Sequence, residues 1–253
     1  MTRGSSIRRL AGQLFALLVI FIAWEVSVWL FEISHDKLPP LSLVLSTMWF
    51  DRVALAAAVG ITLLEAVLGL MAGTFTGVVS GIAFSRFRLL ERMFLPYFGA
   101  SQAIPIIAFG AIIIMWFGNG IASKVIIALY LSFFPVAVNT LRGIRSVGEG
   151  EIGLLRSFGA GSWTILFKLQ LPLALPSILT AVRLGASLAL VGAIVGEWFG
   201  ANQGLGVVLL MAMFDYRIPQ LWAGILLTGL TGVSLYAAIV FLHKKIAWWQ
   251  VEA

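Results

Sequence analysis

Apolar runs of membrane-crossing length make up most of the chain, and short polar segments separate them. The hydrocarbon core of a bilayer is ~30 Å thick, and an α-helix needs about 20 apolar residues to cross it. Runs of that kind extend over Leu14–Phe31 (interrupted by Glu25), Gly60–Phe84, Phe94–Phe117 (with Pro105 inside), Val125–Leu141 (with Pro135 inside), Leu173–Trp198 and Leu221–Leu242. Between the first two, Pro39-Pro40 stops the helix, since proline lacks the N–H that would continue it. Leu41–Ala58 is apolar but carries Asp51-Arg52 at its centre, which predicts an interfacial helix. Gly118-Asn119-Gly120 reads as a tight turn, and Val207–Phe214 is too short to span. The pattern predicts an all-α membrane protein with six transmembrane helices. It is divided into residues 1–58, a span plus an interfacial helix, and residues 59–249, the main transmembrane domain.

Composition narrows the class. Hydrophobic residues make up 60% of the chain and charged residues 11%, and the mean hydropathy is +1.02. A soluble domain does not have such values. The net charge of +6 could suggest nucleic acid, but its distribution points to topology. Twelve basic residues fall in the N-terminal tail, Ser85–Arg92, Arg142–Pro172 and the C-terminal tail, whereas Lys37, Lys124 and Arg217 fall on the opposite face, with Arg52 if the interfacial helix lies there. The positive-inside rule then places both termini and the Arg142–Pro172 loop in the cytoplasm. The N-terminal tail is expected to be retained, because no small-residue cleavage site follows its apolar run. The Trp248-Trp249 pair suits the membrane interface.

The loop at residues 142–172 is the longest stretch without a membrane-grade apolar segment. A loop of that length between spans usually meets something. It reads as two short helices broken at Gly159-Ala160-Gly161, with Ser162 as N-cap of the second. Ile152, Leu155 and Phe158 fall on one stripe of the first, with Glu151 and Arg156 off it. In the second span Gly69, Gly73, Gly77 and Gly81 recur every four residues. Each step drifts ~40° around the helix, and such small-residue spacing lets helix backbones approach closely.

Gly159, nine residues, Leu169, one residue and Leu171-Pro172 reproduce the later part of a cytoplasmic signature, and in this respect the chain resembles the permeases of ABC importers. At the front it departs: Gly153 stands where a glutamate is expected, Leu154 and Leu155 replace two alanines, and Glu151 sits two residues early. Phe158-Gly159-Ala160, Leu171–Pro176, Gly192-Ala193-Ile194-Val195-Gly196-Glu197-Trp198 and Gly204-Leu205-Gly206 extend the likeness. It is similar to the nitrate/sulfonate/taurine group, nearest the branch handling thiamine-precursor pyrimidines and riboflavin. The resemblance implies a type I importer fold, a homodimer, two cytoplasmic ATPase subunits and an extracytoplasmic solute-binding protein. It makes 142–172 the ATPase-coupling segment, with Glu151, Leu155, Arg156, Gly159, Ala160, Leu171 and Pro172 as its working residues. The host membrane would be the bacterial inner membrane. The substrate stays open among a pyrimidine or flavin-like ring, an aliphatic sulfonate and an inorganic anion.

The chemistry carried by the chain itself is sparse. Cysteine is absent and the two histidines, His35 and His243, fall in segments expected on opposite sides of the membrane. That leaves neither a thiolate or histidine metal site nor a Ser-His-Asp arrangement. No lysine follows a P-loop glycine run, so no catalytic residue, metal or cofactor is expected here, and ATP would be bound by a partner subunit. His243 is expected at a helix C-terminus or lipid headgroups. Ionisable residues at membrane depth are functional hypotheses because they are costly in lipid. Glu65, Arg183 and Glu197 are the pathway or gate candidates, with Glu197 near the outer mouth beside Asn202 and Gln203. Arg183 is expected to need an acidic partner, Glu25 first by depth and Glu65 second, or else to meet an anionic substrate. The rival reading is an ion-coupled secondary transporter using Glu25 or Glu65; it would require paired broken helices of an inverted repeat.

Overall fold

Pro40, Pro105, Gly118 and Gly159 each mark a helix boundary. A computed structural model describes residues 3–246, which are α-helical but for short connections and one π-helical turn. The helices are α1 (Arg3–Leu30), α2 (Leu41–Phe50), α3 (Arg52–Arg86), α4 (Arg88–Ser101), α5 (Ile106–Phe117) and α6 (Ile121–Arg145). After them come α7 (Glu149–Ser157), α8 (Ser162–Ile165), a π turn (Leu166–Gln170), α9 (Leu171–Glu197), α10 (Leu205–Phe214) and α11 (Ile218–Ile246). The tryptophan pair at 248 and 249 lies outside the described residues.

Among the described residues four helices have the length and apolarity to cross a bilayer: α3, α6, the continuous Ser162–Glu197 rod and α11. α4 and α5 together supply a fifth span, bent by 106°. The apolar part of α1, Phe15–Leu30, is shorter than a full span. Several sequence expectations are corrected. The helix expected over Leu41–Ala58 ends at Phe50, and the residues from Arg52 onward join α3. The run Phe94–Phe117 is two helices. Pro105 has no N–H and drives the residue before it out of the α region, so the chain after Ser101 makes 3₁₀-type turns and α5 starts afresh with Pro105 as N-cap. The second short helix of the coupling segment is continuous with the next span. Leu171-Pro172 therefore lies inside a rod, with the Leu171 N–H reaching back five residues to the Leu166 carbonyl. A π turn there fits a site just ahead of a proline that cannot donate.

The chain folds as two compact units, one of residues up to Ala57 with Val208–Leu227, the other of Ala58–Val207 with the residues from Thr228 on. In the first, α2 begins at Pro40, which has no side-chain cap to offer. Glu25 of α1 caps it instead, accepting hydrogen bonds from the Ser42 N–H (3.1 Å) and hydroxyl (2.8 Å). A carboxylate at a helix N-terminus satisfies an orphan donor and complements the helix dipole. Trp24 donates its indole N–H to the Pro39 carbonyl and packs on Trp222, with ring centroids 4.9 Å apart.

The second unit is organised around α6. α3 runs parallel to it, with Gly69 facing Ala128, Gly73 facing Ser132, Gly77 facing Val136 and Gly81 facing Thr140. A Cβ at Gly77 would lie 2.9 Å from the Phe133 carbonyl oxygen, and one at Gly81 would lie 2.7 Å from that of Ala137. All four glycines meet one helix although their stripe drifts, so α3 and α6 wind about each other; a period above 3.6 winds to the right. From the other side α9 approaches antiparallel, with Gly192 against the Ala128 backbone, Gly185 against Ser132 and Ala174 against Gly143. Leu70, Ala128, Ala186, Ala189, Leu235 and Ile239 form the apolar core where α3, α6, α9 and α11 meet.

Gly73→Leu and Gly77→Leu should each lower the thermal midpoint in detergent by several degrees, because overpacking costs about 1–3 kcal/mol. Gly60→Leu and Gly229→Leu, whose Cβ positions open onto empty space, should leave it unchanged. Equal melting of all four variants would contradict the packing.

Candidate functional site

At one end of α6 the segment of residues 148–170 is built by its turn chemistry. α7 starts after Gly148, whose N–H is taken up by the Glu151 carboxylate at 3.3 Å. It stops at Gly159, with φ +79°. There the Ala160 N–H bonds the Leu155 carbonyl (3.0 Å) and the Gly159 N–H bonds the Arg156 carbonyl (2.9 Å). Those two bonds make a Schellman cap, which uses a left-handed residue and so favours glycine. Of the expected stripe, Ile152 and Leu155 are half-buried, but Phe158 is 78% exposed and Leu154 beside it 60%. Trp163 and Phe167 stack with centroids 6.0 Å apart and are also exposed. Arg86 of α3 anchors the start of α8, donating to the Ser162 carbonyl at 2.6 Å with its guanidinium over the Trp163 ring. Next to it, Arg145 at the end of α6 pairs with Glu91 at 2.5 Å.

At the other end of α6 lies a buried charged cluster. Glu65 of α3, Lys124 of α6 and Glu197 of α9 are 3%, 2% and 1% exposed. Glu197 Oε1 accepts the Thr62 hydroxyl at 2.6 Å, and its Oε2 accepts the Gly206 N–H at 2.5 Å. The Leu205 N–H donates to the same Thr62 oxygen at 2.8 Å. A Cβ at Gly204, with φ +123°, would run into the Glu197 carboxyl, and one at Gly206 would sit 2.8 Å from its Oε2. The Gly-Leu-Gly turn is thus a collar around one carboxylate. Lys124 Nζ donates to the backbone and side-chain oxygens of Asn119, at 2.6 and 2.9 Å. Asn119 in turn donates to the Gly200 carbonyl, which ties the turn before α6 to the one after α9. One Glu65 oxygen is buried with no hydrogen-bond partner among the described residues.

Two of the three pathway candidates, Glu65 and Glu197, therefore share one buried site. Glu197 is enclosed and not at an open mouth: Asn202 and Gln203 are exposed while the turn after them closes over its carboxyl. Sequence reasoning missed Lys124, which looked like an ordinary charge on the outer face. Its one signal was its place four residues after a Gly-Asn-Gly turn, within reach of that turn's carbonyls. Arg183 is separate from the cluster. Its guanidinium lies against Nδ1 of His243 on α11. The acidic partner expected for Arg183 is therefore corrected: it contacts a buried histidine, and Glu25 is occupied in capping α2. His243 lies in the last turn of α11, the helix C-terminus expected for it, and is buried there. Among the described residues no group of three or more His, Asp or Glu side chains could hold a metal ion.

The described residues form a helical protein with several membrane-length helices, a broken span and an ordered polar segment between two of them. The chain belongs to the family described as the binding-protein-dependent transport system inner membrane component, whose model matches residues 66–248. It is 33% identical to the formylaminopyrimidine transport permease protein ThiX of Halalkalibacterium halodurans, over 92% of this chain and 93% of that one. It is 31% identical to the riboflavin transport system permease protein RibX of Chloroflexus aurantiacus, over 93% and 89%. In fold it matches a chain of the inward-facing MetNI methionine ABC transporter, with a TM-score of 0.68 at 19% identity, covering 82% of this chain and 99% of that one. The fold is that of type I ABC importer permeases. The relatives mark out the nitrate/sulfonate/taurine group near its pyrimidine and riboflavin branches. The chain is a multi-pass permease subunit of an ABC importer in the bacterial inner membrane, and these relatives are transport subunits and not enzymes.

Glu197→Ala should destabilise the protein in detergent by about 1–3 kcal/mol, because it strands the Gly206 N–H in a buried site, while the Thr62 hydroxyl keeps the Ala58 carbonyl as an acceptor. Glu197→Gln, which keeps an acceptor, should cost less than half as much. Thermal midpoints of the two variants check this, and an Ala variant melting with wild type would contradict the collar.

Proposed function

We propose that this permease moves a small organic nutrient inward and is driven by a separate cytoplasmic ABC ATPase docked on α7. The observation that carries the reading is the capped turn at Gly159, which holds Leu154 and Phe158 out from the bundle as an ordered apolar knob. Exposed aromatics on a rigid element suit a protein interface. Glu151 and the Gly159-Ala160 turn set the two ends of α7, and the half-buried Leu155 ties it to the bundle. Arg156 lies on its exposed side. Leu171 and Pro172 sit in the rod that runs from α8 into α9, so a push on the segment is delivered along the axis of a spanning helix. Two copies of the chain would carry two such segments, and an ATPase pair closing on ATP would draw them together.

In this arrangement both termini and the coupling segment are cytoplasmic, and a solute-binding protein delivers the substrate from outside. ATP is bound and hydrolysed on the partner, and this chain needs no cofactor, metal or nucleic acid of its own. Glu65, Glu197 and Lys124 lie at the far end of α6 from α7 and act as a lock on the outer gate; their burial suits a lock better than a lining. Arg183, held against His243, belongs to the bundle that reorients. An ion-coupled secondary transporter is not favoured, because an exposed docking knob has no role in one.

Leu154→Asp combined with Phe158→Asp should abolish co-purification of the ATPase while leaving the thermal midpoint of the permease unchanged. Gly159→Val, which forces a β-branched residue to positive φ, should lower ATP-driven uptake at least tenfold with the protein still inserted. Normal ATPase recovery and normal uptake in both variants would reject the reading.

A further inference from the structure

The start of α4 and the end of α6 enclose a cleft of about 530 Å³ lined by Arg88, Glu91, Arg92, Leu95, Pro96 and Arg145. Arg88, Glu91, Arg92 and Leu95 fall at i, i+3, i+4 and i+7, which is one face of a helix. Glu91 is taken up by Arg145, whose two terminal nitrogens meet its two oxygens at 2.6 and 2.5 Å. Arg88 and Arg92 are exposed and form no ion pair among the described residues. The lining thus has two positive charges in excess, and Leu95 and Pro96 continue it as an apolar floor. The positive-inside rule accounts for arginines beside a span, but not for three of them converging on one cleft. Helix stability does not account for them either, because cations near a helix N-terminus oppose its dipole.

We propose that this cleft holds the headgroup of an anionic phospholipid with two phosphates, an acyl chain leaving over Leu95 and Pro96. Guanidinium groups grip phosphate oxygens bidentately, and basic pockets between spanning helices suit such headgroups. Two phosphates match the two arginines that lack an ion pair. The volume lies within the range of ligand pockets. An acidic patch on a soluble partner would match the charges but not the apolar floor. No residue of α4 is buried, and Phe87, Leu89, Met93 and Phe94 are exposed around the cleft. An amphipathic helix with that surface suits lipid. Arg145 directly precedes α7, so the lipid would sit beside the segment proposed to dock the ATPase. The proposal rests on the importer reading for the leaflet, which that reading makes the cytoplasmic one.

The test is native mass spectrometry of the purified, delipidated full-length permease in detergent, titrated with cardiolipin, phosphatidylglycerol or phosphatidylcholine. One saturable cardiolipin adduct per chain is expected. Arg88→Gln combined with Arg92→Gln should weaken it about tenfold, whereas Arg88→Lys with Arg92→Lys should keep most of it, since lysine retains the charge. Phosphatidylglycerol, with one phosphate, should bind several-fold more weakly, and phosphatidylcholine should give no saturable adduct. Both arginines are exposed, so the thermal midpoint of either double variant should match wild type. Cardiolipin binding indifferent to the glutamine pair, equal binding of the three lipids, or displacement by an equal concentration of inorganic pyrophosphate would overturn the proposal. So would loss of ATPase co-purification in the glutamine pair with cardiolipin binding intact, which would assign the cleft to the ATPase. Arginine-dependent cardiolipin binding without ATPase recovery by wild type would contradict the importer reading alone. ATPase recovery without that binding would contradict the lipid site alone.

Discussion

Backbone-to-backbone approach along α6 is the constraint on which the larger unit depends. Lipid offers no hydrophobic reward for bringing apolar helices together, so van der Waals packing and hydrogen bonds must hold them. α6 meets both demands with small residues. Ala128 and Ser132 are pressed by glycines of α3 on one side and of α9 on the other, and there is no room for a larger side chain at those contacts. The close packing also fixes the two ends of α6. One end carries Arg145 and the connection to α7, and the other carries Lys124 inside the buried charged cluster.

Both ends use polar groups sparingly and in chains. Glu197 is held by a hydroxyl and an N–H from two different elements, and Lys124 reaches the turn before its own helix, which is tied to the turn after α9. Rotation of α9 against α6 would have to break these bonds at one end, while α7 rides on the rod that continues into α9 at the other. Between the two ends the glycine contacts make the middle of α6 closely packed.

Much of this was legible in the sequence, for physical reasons. Spans are announced by apolar runs, since lipid demands them, and the four-residue glycine spacing announced a packing face. The Gly159 turn was legible because a helix stop with a left-handed residue has a composition. The break at Pro105 was only half legible: proline inside a span bends some helices and ends others, and the outcome depends on whether neighbours such as Tyr130 can take up the freed carbonyls. The partner of Arg183 was not legible, because depth along a helix does not fix the direction a side chain faces. Lys124 was hidden for the same reason. Glu25 had the depth expected of an ion-pair partner, but its use as a cap for α2 depended on the proline at the start of that helix.

The central claim is that force enters this protein through α7. The chain has no cysteine, so a single one introduced at Phe158 can be followed alone. Membranes carrying Phe158→Cys, expressed with the ABC ATPase, would be treated with a short bifunctional thiol reagent that also reaches amines, and the products identified by mass spectrometry. The account predicts a cross-link from position 158 to the ATPase, and none from a cysteine placed at Met115, an exposed residue on α5. Cross-linking of both positions alike, or of neither while the ATPase still co-purifies, would contradict it.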